Sequence, residues 1–271
     1  MKLVKYGAVA ALVASIGATT LIGLQASAAD SGVTGSESDY LRSMDSKATL
    51  NFVPDNSVTK PIDPIDPTNP NPPTPLPPKP GTPGPLSIDY ASDFNFGMQE
   101  ISTETKSYYA KPQTYSDNST VRPNFVQVTD KRGTNAGWTL SVKQAGQFSN
   151  PTTQNKTLDG AQLILGKGET VTNGSAATPT TYAVLLDPSG TTSKVMSADT
   201  NQGTGTWVNL FGGKNALQDV TVKDPSNQVT TEKRDFGVKL TVPGATQKDA
   251  VQYATTLTWE LTNVPTNPTA P

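Results

Sequence analysis

Aromatic side chains are the residues of this chain whose chemistry points most directly to a ligand. Trp138 is followed two positions later by Leu140, and Trp259 is followed in the same way by Leu261. An exposed indole ring packs well against the C–H groups of a sugar ring, which would suit a glycan ligand. On a β-strand, however, each tryptophan shares a face with its leucine, and apolar strand faces usually point inward. Ligand binding and core packing both stay open for these four residues, and for Trp207.

Few residues of this sequence could serve as catalytic groups. Cysteine and histidine are both absent, which excludes a thiolate nucleophile, an imidazole base and a zinc-thiolate site. Glu100, Glu104 and Asp235 are the only carboxylates that suggest a hydrolase pair, and we interpret all three as solvated surface charge. Asp63 and Asp66 lie among prolines, which hold the chain extended and offer calcium no wrapped loop of oxygens. The sequence therefore predicts no enzyme, no cofactor and no metal site.

The composition excludes one class of partner and favours one fold class. Charged residues make up 16% of the chain and the formal net charge is -2, so no basic field attracts nucleic acid. Hydrophobic residues make up 34%, and the abundance of Thr, Ser, Asn, Gly and Pro is typical of short strands joined by turns. We therefore expect an all-β protein that does not bind nucleic acid.

The first 28 residues have the pattern of a cleaved signal peptide. Lys2 and Lys5 precede an apolar run at residues 7–24, and the small residues Ala26 and Ala28 form an Ala-x-Ala cleavage site. A transmembrane anchor is the alternative, but Gly, Ala, Ser and Thr dilute the run. No second apolar run of that length and no Leu-Pro-x-Thr-Gly sorting signal follow. We expect a secreted protein that is not inserted in the membrane after cleavage and stays at the cell surface by binding.

The part of the chain before the main domain divides into two segments. Residues 29–60 form an N-terminal segment with one short predicted strand at residues 47–53, where Ala, Leu and Phe alternate with polar neighbours. Residues 61–85 form a Pro-rich linker, in which proline prevents a helix or an interior strand. This linker is either a semi-rigid stalk or a tail that lies along the domain.

Residues 86–265 are predicted to form the main β domain, and residues 266–271 a disordered tail. Short β-rich runs alternate with turn sequences, and Asp130, Arg132 and Gly133 are interpreted as one such turn. The predicted strands lie at residues 125–128, 138–142, 161–165, 182–186, 207–211, 236–242 and 253–261. This number and spacing of strands predicts an antiparallel β-sandwich, Ig-like or jelly-roll-like, rather than a barrel.

The residues around the second tryptophan resemble a known family signature. Residues 253–265 match the pattern Tyr-x-x-x-Leu-Thr-Trp-x-Leu-x-x-x-Pro at every defined position. This pattern is similar to that of the WxL domain, which occurs in surface proteins of low-GC Gram-positive bacteria. The Trp-x-Leu sequence at residues 138–140 and the Asp-Pro-rich stretch before Leu86 also resemble this family. The resemblance covers nearly all of the predicted secreted chain.

The resemblance implies a binding role outside the cell. It implies non-covalent attachment to peptidoglycan in the cell wall through the C-terminal domain, as an anchor or display module. It also implies companion surface proteins encoded nearby. An assembly subunit that binds a membrane-anchored companion protein, rather than glycan, is the alternative function.

Overall fold

The structure, a computed structural model, describes residues 43–223 and 228–263, and every regular element in these ranges is a β-strand. All strand pairs in the sheets are antiparallel, so the predicted antiparallel all-β class is confirmed. The signal peptide at residues 1–28 and the tail at residues 266–271 lie outside the described residues. Within the described ranges, no helix has the length and apolar character needed to cross a membrane.

Sixteen strands are formed within the described ranges. The first eight are β1 (Pro75–Leu76), β2 (Leu86–Ala91), β3 (Lys106–Ala110), β4 (Gln113–Tyr115), β5 (Val121–Arg122), β6 (Phe125–Asp130), β7 (Trp138–Gln144) and β8 (Gln162–Leu165). The other eight are β9 (Gly168–Thr172), β10 (Thr180–Thr181), β11 (Val184–Leu185), β12 (Ser193–Ala198), β13 (Gly205–Phe211), β14 (Leu217–Lys223), β15 (Val229–Val242) and β16 (Leu257–Thr262).

These strands form four sheets, which we name by their position or content. The central sheet has the order β2-β6-β13-β9, and the Trp-x-Leu sheet has the order β10-β12-β7-β16. The five-stranded sheet has the order β11-β8-β15-β14, with β3 paired to β15, and the small sheet has the order β1-β4-β5. Three of the four sheets contribute to one main hydrophobic core, so the two-layer sandwich stays a prediction.

The main core is built from the inward faces of the central, Trp-x-Leu and five-stranded sheets. Alternation along each strand places every second side chain in it. Its members include Val126, Val128, Trp207 and Phe211 of the central sheet, Trp138, Leu140, Val142 and Met196 of the Trp-x-Leu sheet, and Leu163, Leu165, Val238 and Leu240 of the five-stranded sheet.

The central sheet is buried on both faces. On β13, Trp207 and Phe211 face the main core, while Val208 and Leu210 belong to a second, smaller core on the opposite face. All six residues of β6 are buried for the same reason. The second core also contains side chains of β2, the small sheet and Ile62, which is part of the Pro-rich segment. A strand covered on both sides must be apolar or hydrogen-bonded throughout, and this explains the sequences of β6 and β13.

Polar side chains on the face of the central sheet that borders the second core form hydrogen bonds with one another. Asp89 accepts hydrogen bonds from the Ser87 hydroxyl at 2.6 Å, the Thr129 hydroxyl at 2.6 Å and Gln127 Nε2 at 2.8 Å. Burial raises the pKa of the Asp89 carboxyl above its usual value, although these hydrogen bonds oppose the rise. The network satisfies groups that would otherwise carry a large desolvation cost.

The Pro-rich segment packs along the β domain and is not a stalk. The side-chain amide of Gln127 donates to the Lys60 carbonyl at 3.1 Å and accepts from the Ile62 N–H at 2.8 Å. Further along, β1 pairs with β4 in the small sheet. The described residues from Asn51 onward form one compact unit that includes this segment. Of the two arrangements predicted for residues 61–85, the structure shows the one in which the segment lies along the domain.

The short strand predicted at residues 47–53 is not formed, which corrects the expectation for the N-terminal segment. Leu50 and Phe52, which were expected to pack on a sheet, are 76% and 89% exposed. An alternating pattern forms a stable strand only where a neighbouring strand supplies hydrogen bonds and an apolar face. Neither is present at these residues among the described parts of the chain.

A charged pair holds the Pro-rich segment at its start. Arg122 Nε donates to Asp63 Oδ1 at 2.8 Å and its Nη2 donates to Asp63 Oδ2 at 2.7 Å, the two-pronged geometry that is strongest for this pair. Burial would raise the pKa of Asp63, but the hydrogen bonds and charge of Arg122 lower it below the usual value. The stabilisation is therefore complete above the unfolded carboxyl pKa and is lost as the pH falls through the folded value.

Replacing Arg122 with Gln should destabilise the fold more than breaking an exposed ion pair. The Asp63 carboxylate is 3% exposed and would lose its partner, whereas 25% of the Arg122 side chain reaches solvent. We expect a loss of about 2 to 3 kcal/mol in the free energy of unfolding, measured by urea denaturation. Lys143→Gln is the control, because its pair with Glu260 is more than a third exposed and should contribute under about 1 kcal/mol. Equal losses for the two variants would contradict the structural role of Asp63.

Candidate functional site

The first Trp-x-Leu pair lies in the main core. Trp138 and Leu140 are fully buried, and the Trp138 indole N–H donates to the Gly203 carbonyl at 3.0 Å. Gly203 has a φ of +69°, and a Cβ added there would lie 2.8 Å from the indole nitrogen, so only glycine fits beneath this ring. Of the two interpretations, the structure shows core packing for Trp138 and Leu140.

The second pair lies at the edge of a sheet and is half-buried. Trp259 and Leu261 are on β16, the outermost strand of the Trp-x-Leu sheet, and both pack against the main core. The Trp259 ring centroid lies 6.2 Å from that of Phe211. Trp259 also lines a cleft of about 320 Å³. Trp207, in contrast, is buried and its indole N–H donates to the Thr204 carbonyl at 3.0 Å.

A larger cleft of about 1050 Å³ lies next to this small one and shares Phe94, Phe96, Phe148 and Thr255 with it. We call it the main cleft. One wall is residues 94–101 and the other is residues 248–255, which precede β16. Its lining also includes apolar side chains of the main core: Leu158, Leu240 and Val242. The main cleft is thus formed where the N-terminal side of the domain meets the start of the C-terminal signature.

The first wall is fixed at its start by Ser92. The Ser92 N–H donates to the Phe125 carbonyl at 2.9 Å, and its hydroxyl accepts from the Phe125 N–H at 3.0 Å. After this anchor, Phe94 packs edge-on against Phe211 and Phe96 packs edge-on against Phe148. Both rings are half-buried, so part of each ring borders the cleft.

The second wall is held by hydrogen bonds from buried and half-buried polar groups. Lys248 Nζ donates to the Ser102 carbonyl at 3.0 Å, which joins the two walls. Asp249 accepts hydrogen bonds from the Thr153 hydroxyl and from Asn155, and these hold the pKa of its carboxyl below the usual value. The Tyr253 hydroxyl donates to the Asn155 carbonyl at 2.7 Å. Tyr253, the first residue of the signature at residues 253–265, therefore positions this wall.

The carboxylates that suggested a hydrolase pair do not share a site. Glu100 lines the main cleft, whereas Glu104 is exposed and pairs with Lys106 at 2.6 Å. Asp235 does not border either cleft. No cluster of three or more acidic residues that could hold a metal ion occurs among residues 43–223 and 228–263. The arrangement offers apolar and aromatic surface for binding rather than paired proton donors and acceptors.

Asp235 corrects the interpretation of its carboxylate as solvated surface charge. It is fully buried on β15, where its Oδ2 accepts from the Asn124 N–H at 2.6 Å and from Asn124 Nδ2 at 2.8 Å. Its Oδ1 accepts from the Gly237 N–H at 2.8 Å, at a place where the pairing of β15 with β3 shifts in register. Burial raises the pKa of Asp235 to about 6. The residue joins β15 to the segment that leads into β6 and is structural.

Asp63 and Asp130 are also structural acids. Asp63 is bound by Arg122, as described above, and Asp66 is exposed and accepts from the Thr68 hydroxyl at 3.0 Å. Asp130 accepts from the Arg132 N–H at 3.1 Å and from its guanidinium group, which also donates to the Gly137 carbonyl at 2.8 Å. This is the turn that the sequence predicts at this position.

The main cleft was not found from the sequence. Its first wall forms no strand, and Phe94 and Phe96 stood outside every predicted element. The alternation of two phenylalanines across Asn95 is the only local signal, and it is too short to separate a cleft wall from a strand. The long-range contact between residues 94–101 and residues 248–255 has no signature in a single sequence.

Comparison with known families gives one match. A family model described as WxL domain surface cell wall-binding matches residues 39–265, which is most of the chain. No curated protein and no solved structure matches the chain.

The buried carboxyl of Asp235 should make the stability of the fold depend on pH. Its folded pKa of about 6 lies above the unfolded value, so the folded chain binds this proton more tightly and loses stability as the pH rises from about 4 to about 6. The expected loss is about 3 kcal/mol. Urea denaturation across this range should show a decline that is about 3 kcal/mol smaller in Asp235→Asn than in the parent chain, because the variant lacks this carboxyl whereas the buried carboxyl of Asp89 ionises in both proteins. Parallel profiles for the two proteins would contradict the assignment.

Proposed function

Because the chain belongs to the family of WxL domain surface cell wall-binding proteins, we propose that it binds peptidoglycan non-covalently at the cell surface. In this proposal, residues 1–28 direct secretion and are removed, and the β domain retains the protein on the wall of a Gram-positive cell. The protein acts as an anchor or display module and catalyses no reaction. The family description supports cell-wall binding, and the proposal adds the ligand and the mode of retention.

The main cleft is the observation that supports a glycan ligand. Its volume of about 1050 Å³ is at the upper end of the range for small-molecule sites, and a short oligosaccharide would fill it. Phe94, Phe96 and Tyr253 give it half-buried aromatic rings, on which the C–H face of a sugar can pack. Asn95 Oδ1 accepts from the Gly97 N–H at 2.8 Å and Gln99 Nε2 donates to the Phe96 carbonyl at 2.6 Å, so Asn95 Nδ2 and Gln99 Oε1 are the amide atoms that can hydrogen-bond with hydroxyl and acetamido groups.

The charged side chains of the main cleft favour binding of an uncharged part of a ligand. Lys248 Nζ is bound by three backbone carbonyls, and the Asp249 carboxylate is bound by Thr153 and Asn155. Neither of these side chains is free to pair with a charged group on a ligand, and the other two charged residues of the cleft, the exposed Glu100 and Lys111, have opposite charges. The N-acetylated sugar backbone of peptidoglycan suits such a site better than a polyanionic wall polymer does. Trp259, at the border of the small cleft, extends the aromatic surface in this proposal.

Phe96→Ala in the main cleft should weaken binding to cell walls. The parent chain without residues 1–28 should sediment with isolated walls from which proteins and teichoic acids have been removed. Loss of one stacking ring should raise the dissociation constant for the walls about tenfold, which corresponds to about 1.4 kcal/mol. Phe52→Ala is the matched control, because Phe52 is 89% exposed and does not line the cleft. The proposal fails if the parent chain stays in solution, and the cleft assignment fails if the two variants bind equally.

A companion protein is the second candidate for the ligand of this domain. Met98, Ile101 and Val251 are 78%, 59% and 43% exposed at the main cleft, and such aliphatic groups are more typical of protein interfaces than of sugar sites. In this version the chain is an assembly subunit that binds a membrane-anchored protein. Recovery of one defined membrane protein with the chain, together with no binding to bare walls, would favour it over the glycan.

A further inference from the structure

The small cleft continues the main cleft along both of its walls. Residues 94–101 line the main cleft and residues 92–94 line the small one, so the first wall passes from one cleft to the other without a break. In the second wall, residues 248–255 line the main cleft and residues 255–257 line the small one. The same two stretches of chain therefore border both clefts.

Phenylalanine side chains lie where the two clefts meet. Phe94, Phe96 and Phe148 line both clefts. Phe148 is a buried member of the main core, and the half-buried rings of Phe94 and Phe96 pack against that core. Rings that rest on a core lie beneath a cleft rather than across it, so these three side chains form a shared floor and not a partition. We call the two clefts together the groove.

Aromatic surface is present in each part of the groove. Of the two clefts, Tyr253 lines the main one and Trp259 lines the small one. Between them, Phe94 packs on Phe211 with 5.9 Å between the ring centroids, and the Phe211 centroid lies 6.2 Å from that of Trp259. A half-buried ring is thus available to successive sugars along the groove, since the C–H face of a sugar packs on an aromatic face.

The polar groups of the small cleft suit an uncharged ligand. Its two charged side chains, Lys79 and Asp93, pair with each other at 2.6 Å. Ser92, Thr255 and Thr256 also line it, and their hydroxyl groups can both donate and accept hydrogen bonds. A sugar hydroxyl has the same capacity, whereas a charged group would have to compete with an ion pair that is already formed. The small cleft therefore favours the same class of ligand as the main cleft.

We propose that the groove binds one continuous stretch of a neutral, N-acetylated glycan chain, with the small cleft as a second subsite. The inference rests on the proposed function, because it starts from a glycan in the main cleft. Sugars in the main cleft pack on Phe96 and Tyr253, and the next sugars of the same chain pass over Phe94 and pack on Trp259. The ligand is then an oligomer and not a single sugar or a disaccharide.

The sizes of the two clefts support a ligand of several sugars. A pocket for one small-molecule ligand has a volume of about 300 to 1,000 Å³. The main cleft of about 1050 Å³ reaches the upper end of this range by itself, and the small cleft adds about 320 Å³. A ligand that fills both clefts is therefore longer than one that fills the main cleft alone.

Two subsites for one glycan chain change how the protein is retained on the wall. Once the first subsite is occupied, the second binds an attached part of the same molecule, so the combined affinity exceeds that of either part. A short glycan fragment in solution fills one subsite and competes poorly with the intact wall. The groove thus selects long glycan chains over fragments.

Chito-oligosaccharides of two to six sugars, which are neutral and N-acetylated, test the inference by calorimetry on the chain without residues 1–28. The dissociation constant should fall about tenfold or more from the dimer to the hexamer, because the longer ligand reaches Trp259. In Trp259→Leu, which keeps an apolar side chain against the main core, the hexamer should bind little better than the dimer. Leu185→Ala is the matched control and should keep the full gain, because Leu185 is 55% exposed and lines neither cleft.

The fluorescence of the parent chain gives a second measurement that needs no substitution. Trp138 and Trp207 are buried, whereas Trp259 is half-buried and lines the small cleft, so added acrylamide should quench Trp259 in preference to the other two. The hexamer should protect Trp259 from the quencher, and the dimer should not.

The outcomes separate this inference from the proposed function. Equal affinity for the dimer and the hexamer, or equal protection of Trp259 by both, would overturn the inference and leave wall binding intact. Failure of every oligomer to bind a chain that still sediments with bare walls would also overturn it. A chain that neither binds the oligomers nor sediments with the walls would overturn the proposed function as well.

Discussion

Burial of the central sheet on both faces is the constraint on which the rest of this fold depends. A sheet in that position cannot use water to satisfy its polar groups, so each must find a partner in the protein. Gln127 and Asp89 meet this requirement within the second core, and the Pro-rich segment completes it through the backbone at Lys60 and Ile62. The segment is therefore part of the folded domain and not a spacer in front of it.

The two tryptophans of the Trp-x-Leu sheet have different structural roles. Trp138 is a core residue that fixes the Trp-x-Leu sheet, and Trp259 is a border residue that fixes its outermost strand. Trp138 presents no ring surface to solvent, whereas part of the Trp259 ring borders the small cleft. What the two sequences build together is a stable sheet that borders two adjoining clefts. The proposed binding then belongs to the surfaces that these residues position, such as the ring of Phe96.

The local sequence pattern predicted those parts of the fold in which the residues of one strand or turn are sufficient to specify its structure. Alternation predicted β7 and β16, and turn chemistry predicted the bend after Asp130. The local pattern could not show that residues 47–53 form no strand, because they alternate but have no sheet beside them. It also could not predict β12, whose sequence has no strong strand signal. Asp235 is the clearest case, because charge predicts exposure and only the tertiary contacts with Asn124 show otherwise. The clefts arise from distant segments, so they too escape a local pattern.

The pair between Asp63 and Arg122 has a mechanical consequence. A surface protein experiences shear from the surrounding fluid, and a pull transmitted along the chain toward residue 61 would load the hydrogen bonds of Gln127 with Lys60 and Ile62 before it loaded this pair. Two parallel hydrogen bonds at one guanidinium must break together under such a load, which makes the pair a clamp. Beyond this pair, tension would next act on the pairing of β1 with β4, so the Pro-rich segment would detach before the strands around the main core separated.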